Sequence, residues 1–125
     1  MESVLNSLVV TGVFLIIAAA VGIRLGRSGK PYGFAKLAIH IILFILVLLG
    51  VIASIYKLQG MTEARFYPKL SLYITLIALL TNVAVGIKMI LGKRANATMI
   101  VAHKISTFIM ALSLVASIIF VVSEI

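Results

Sequence analysis

Four long apolar runs, roughly Val4–Ile23, Phe34–Tyr56, Leu70–Leu91 and Ala97–Val122, leave this chain few folds to choose from. Each holds about 20 residues or more, and at about 1.5 Å per residue that crosses a hydrocarbon core of about 30 Å. Lipid offers no partner for backbone N–H and C=O groups, so such runs are expected as helices, which pair those groups internally. The strands of a membrane barrel would be about ten residues long and would alternate, and these runs do neither. With 63% of 125 residues hydrophobic, there is more apolar surface than a soluble domain of this size needs. The expected fold is all-α: a single transmembrane domain over residues 1–125, an integral membrane four-helix bundle.

The net charge of +8 does not point to nucleic acid, because the charges sit between the runs. Arg24, Arg27, Lys30 and Lys36 surround the first connection, and Lys88, Lys93, Arg94 and Lys104 the third. The second has Lys57, Arg65 and Lys69, partly offset by Glu63, and the ends carry Glu2 and Glu124. Lys and Arg concentrate on the side that stays cytoplasmic. The reading is a multi-pass protein with N- and C-termini outside and loops 24–36 and 88–104 cytoplasmic, where the basic groups also meet anionic headgroups. The first run is not read as a secretory leader: nothing basic precedes it, and Arg24 follows it. There is no cysteine, so disulfides, iron–sulfur ligation and thiol chemistry are excluded.

The chain reads as a doubled hairpin, with repeat units of about 4–58 and 68–122. "TGVFLIIAAAVGI" (Thr11–Ile23) lies over "TLIALLTNVAVGI" (Thr75–Ile87), and "HIILFILVLLGVIASI" (His40–Ile55) over "HKISTFIMALSLVASI" (His103–Ile118). The histidine and the "VG" pair are the informative matches. Each unit holds two helices, so the copies share one orientation, as in parallel membrane repeats. His40 and His103, the only histidines, then sit at matching depth, about one turn inside the cytoplasmic face. In an up-down bundle the second and fourth helices are diagonal, so the two imidazoles can face one another across the middle.

An ionisable residue within a membrane helix is a functional candidate. Zinc wants three or four Cys, His, Asp or Glu ligands, and no carboxylate or cysteine lies near either histidine. Proton-coupled transport lacks a buried acid, since Glu2, Glu63 and Glu124 stand at ends or in a loop. No carboxylate is placed to orient a catalytic histidine, and "GIRLGRSG" is no nucleotide-binding loop. Haem fits better, because its iron takes two axial imidazoles on opposite faces of a flat ring. Gly22 and Gly86, at about the depth of the histidines, would admit a porphyrin edge. Arg24, Lys36, Lys88 and Lys104 are near enough to neutralise its propionates.

On His40, His103, Gly22 and Gly86 the chain resembles the four-helix core of membrane b-type cytochromes, including respiratory cytochrome b. The resemblance implies haem b between the second and fourth helices, with glycines on the first and third. Two-haem members carry a further histidine 14 residues on in each ligand helix; here those positions are Ser54 and Ser117. The resemblance therefore implies one haem near the inner face, and electron transfer with a quinone or a partner redox subunit.

The plainer readings are packing ones. Histidine near an interface can snorkel to headgroups, and small residues let membrane helices touch. Thr81 and Asn82 are expected to bond a neighbouring helix, and Ser106, Thr107 and Ser113 their own helix. Met89, Met99 and Met110 read as gap-fillers. Pro31 and Pro68 are read as standing before helices. The competing function is a non-redox tetraspan protein, either a small channel or carrier working as a homo-oligomer or an accessory subunit of a larger membrane complex.

Overall fold

The computed structural model describes residues 1–28, 32–61, 66–92 and 96–125. Lys30, Pro31, Glu63, Arg65, Lys93 and Arg94 lie outside the described residues. Four helices account for nearly all of the rest: α1 (Glu2–Ser28), α2 (Phe34–Gln59), α3 (Phe66–Leu91) and α4 (Ala97–Ser123). All four are long and apolar enough to cross a membrane, and the chain is an integral, multi-pass membrane protein. α1 continues past its apolar run through Arg24 and Arg27 to Ser28, and α3 starts four residues before its run. Pro68 lies inside the first turn of α3 rather than before it. A proline costs nothing there, because the first N–H groups of a helix have no partner within it.

The helices form a square in chain order. α1 packs closely on α2 and α3 on α4, while α1 meets α4 and α2 meets α3 less extensively. The diagonal pairs α1/α3 and α2/α4 do not approach at the backbone among the described residues. One bundle end gathers the chain termini, and the other gathers the first and third connections.

The buried positions explain this packing. They fall at Val4, Leu8, Thr11, Leu15, Ala18 and Leu25 on α1, and at Phe44, Val47, Val51, Ser54 and Leu58 on α2. Alternating steps of three and four residues repeat every seven, which keeps one seam facing the neighbours in a gently coiled bundle. α3 and α4 repeat the pattern: Leu72, Thr75, Leu79 and Asn82 on one, Met110, Leu114, Ser117 and Val121 on the other. Extended back one or two steps, the seam passes through His40 on α2 and His103 on α4. The opposite faces stay apolar and exposed, as at Ile16, Ile77 and Ile119, which suits lipid. No charged residue is buried among the described residues.

The two hairpins make the same contacts at corresponding positions. The Ser54 and Ser7 hydroxyls lie 3.1 Å apart and the Ser117 and Ser71 hydroxyls 2.8 Å apart, both within hydrogen-bond distance. Thr11 donates to the Ser7 carbonyl at 2.7 Å, and Thr75 to the Ser71 carbonyl at 2.8 Å. Ser54 and Ser117 also bond back one turn, to the carbonyls of Gly50 and Ser113, each at 2.8 Å. Such back-bonding lets a hydroxyl sit inside an apolar bundle without an unpaired donor.

Candidate functional site

α2 and α4 bring His40 and His103 to one level, each the seventh residue of its helix. Their ring centroids lie 6.5 Å apart with planes tilted by 56°, so the two imidazoles face each other across the bundle, as the matched depths led us to expect. Both are partly buried. Gly22 and Gly86 lie at the same level. A Cβ added to Gly22 would stand 2.8 Å from Cε1 of His40, and one on Gly86 would stand 3.4 Å from Cε1 of His103. The glycine clefts hold the imidazoles themselves, where the sequence had suggested a porphyrin edge.

The ring of His40 is fixed from two sides. Nδ1 lies 3.0 Å from the carbonyl oxygen of Ala18, one turn from Gly22 on α1. A carbonyl only accepts, so Nδ1 carries the proton and neutral His40 keeps its lone pair on Nε2. Phe44, one turn on, meets the ring edge-on with centroids 4.9 Å apart. In the second hairpin the matching carbonyl is that of Asn82, which faces His103. The geometry there falls short of a hydrogen bond, and Nδ1 of His103 is the one buried side-chain polar atom without a partner among the described residues.

Asn82 anchors the His103 turn instead. Its amide nitrogen reaches the His103 carbonyl at 2.9 Å, the Ser106 hydroxyl at 2.9 Å and the Thr107 hydroxyl at 2.6 Å. Ser106 and Thr107 in turn donate to the His103 carbonyl, so three side chains converge on one backbone oxygen. Thr81 bonds only back to Ile77 of its own helix. The sequence marked Asn82 as a helix-bridging residue but did not tie it to His103. The available signal was its place four residues before Gly86, as Ala18 stands four before Gly22.

The four cations stand on the exposed surface at the histidines' end of the bundle. Arg24, Lys36, Lys88 and Lys104 are exposed at the same bundle end, and none makes an ion pair among the described residues. Lys36 lies one turn before His40, and Lys104 is next to His103. Ser54 and Ser117 are fully buried about 21 Å along the helices from the histidines, held in their hydroxyl pairs. Between the two levels, Leu15, Val47, Leu79 and Met110 form an apolar layer. No group of three or more metal-ligating residues occurs among the described residues. Family models, curated proteins and solved structures give no match to this chain.

Proposed function

We propose that this protein is a small membrane b-type cytochrome holding one haem b through His40 and His103, and that it passes single electrons to or from a quinone or a redox partner subunit. The observation that carries this reading is the facing pair of imidazoles with His40 Nδ1 tied to the Ala18 carbonyl. Histidines that ligate metals typically donate their other ring N–H to a carbonyl or carboxylate, which leaves the ligating lone pair free. A centre shared by two imidazoles sets their centroids about 6 Å apart, from two metal–nitrogen bonds of about 2 Å and just over 1 Å to each ring centre. The observed 6.5 Å suits that arrangement. So does the orphaned Nδ1 of His103, because ligation that turns this nitrogen onto the Asn82 carbonyl satisfies it.

Bound haem would supply a one-electron couple at its iron. The chain's own residues do the rest. His40 and His103 would hold the group, and the Ala18 carbonyl fixes the tautomer of the His40 ring. The exposed Arg24, Lys36, Lys88 and Lys104 offer charge to propionates. The layer of Leu15, Val47, Leu79 and Met110 closes the interior toward the termini end. That same layer leaves no open path through the interior of one copy, so in the non-redox reading a channel would run between copies, and the accessory subunit stands beside it.

The test is an absorption spectrum of detergent-purified protein made with ample haem, before and after dithionite. A Soret band that shifts, with α and β bands on reduction, is expected. His40→Ala and His103→Ala should each lose it while keeping helical circular dichroism. A featureless visible spectrum from the wild type overturns the proposal.

A further inference from the structure

The two hairpins agree along their seams but diverge on one outer face. At the termini end, α1 and α2 enclose a groove of about 550 Å³, within the size range of small-molecule sites. Glu2, Ser3, Asn6 and Lys57 line its mouth. Val10, Phe14 and Leu46 line the part toward the membrane interior. From Glu2 to Phe14 the groove runs about 18 Å along α1, close to the depth of one leaflet with its interface.

The second hairpin has Phe66, Tyr67, Leu70 and Phe120 where the first has Glu2, Ser3, Asn6 and Lys57. There the rings of Tyr67 and Phe120 stack with centroids 5.6 Å apart and fill the equivalent place. Residues serving only to anchor a helix end at the interface would suit both copies alike. Only the first copy sets one cation and one anion, not paired with each other, at the mouth of an apolar channel.

The mouth has unused capacity. The Lys57 ammonium donates to the Ser3 carbonyl at 3.3 Å, which occupies one of its three N–H groups. The carboxylate of Glu2 and the amide of Asn6 make no hydrogen bond or ion pair among the described residues. A cation and an anion at one mouth match a ligand bearing both signs. The apolar run below matches a hydrocarbon chain.

We propose that this groove binds one zwitterionic aminophospholipid. Its phosphate lies against Lys57, Ser3 and Asn6, its primary ammonium donates to Glu2, and an acyl chain follows Val10, Phe14 and Leu46. A choline head has no N–H for Glu2, and a glycerol head has no cation at all. The site is independent of the haem proposal.

Native mass spectrometry tests this after incubation with equal amounts of phosphatidylethanolamine, phosphatidylcholine and phosphatidylglycerol. One retained phosphatidylethanolamine is expected, preferred roughly fivefold over either competitor, as one exposed ion pair gives. The double variant Asn6→Leu and Lys57→Phe installs residues that the second hairpin already holds, and it should lose the bound lipid. Glu2→Gln, a change on an exposed side chain, should reduce phosphatidylethanolamine to the phosphatidylcholine level. Equal retention of all three lipids, preference for phosphatidylglycerol, unchanged binding by the variants, or a dimer mass in place of a lipid adduct would each overturn the proposal.

Discussion

Gly22 of α1 and His40 of α2 stand so close that a methyl group on the glycine would lie 2.8 Å from Cε1 of the imidazole. The ring cannot simply swing away, because Nδ1 is tied to Ala18 on the same helix. Gly22→Ala is therefore expected to break that hydrogen bond and cost about 1–3 kcal/mol, the usual range for overpacking. Gly86→Ala, with 3.4 Å to Cε1 of an untied ring, should cost less. Thermal unfolding in detergent gives both values, and equal losses would contradict this account of how the His40 ring is held.

Gly50 lies under Thr11 in the same way, nearer the termini end. A Cβ there would overlap the Thr11 hydroxyl and sit 3.2 Å from its methyl group. Thr11 is held in place by its bond to the Ser7 carbonyl. Gly50→Ala should therefore lower stability by about 1–3 kcal/mol. The Thr11→Ala background removes the hydroxyl and the methyl group but keeps the Thr11 Cβ, 3.1 Å away, so part of that loss should vanish, a coupling of about 0.5–3 kcal/mol. Additive losses would show that Gly50 matters for something other than the room it leaves Thr11.

The paired hydroxyls allow a test of the duplication itself. Ser54 with Ser7 and Ser117 with Ser71 form the same bond in both hairpins. Double-mutant cycles to alanine should give a coupling of about 0.6 kcal/mol for each pair, the average for hydrogen bonds between membrane helices. The two values should agree. A strong coupling in one hairpin and none in the other would mean that the copies no longer share this contact.

What was legible in the sequence is what depends on one helix at a time, or on comparing the two halves. Apolar length marked all four spans, and the His40/His103 match placed both rings at one depth. Contacts that depend on register between helices were not legible. Ser54 and Ser117 stood out only as positions lacking a histidine, although Ser7 and Ser71 match in the register that aligns Thr11 with Thr75. The glycines were read against a flat cofactor, because spacing along α1 and α3 does not show which atoms of α2 and α4 fill the space. The charged end of α1 was hidden for a different reason. Hydropathy falls at Arg24, but a helix continues wherever its backbone stays paired, and the run stops short of Ser28.

Asn82 holds the turn of α4 that carries His103, and its role can be tested without any cofactor. Its amide nitrogen donates toward three oxygens, two of which already donate to the His103 carbonyl. Asn82→Ala removes the donor and is expected to cost about 1–2 kcal/mol, somewhat above the average for a single interhelical bond. Asn82→Asp keeps the size and replaces the donor with a carboxylate, which only accepts. Facing a carbonyl and two committed hydroxyls inside the membrane, it should cost more, about 2.5–3.5 kcal/mol at neutral pH. Thermal unfolding in detergent ranks the variants, and ring resonances from ¹⁵N-labelled histidine report whether His103 moves while His40 stays. If alanine and aspartate cost the same, the Asn82 amide is not acting as a donor, and the anchoring of His103 must come from packing alone.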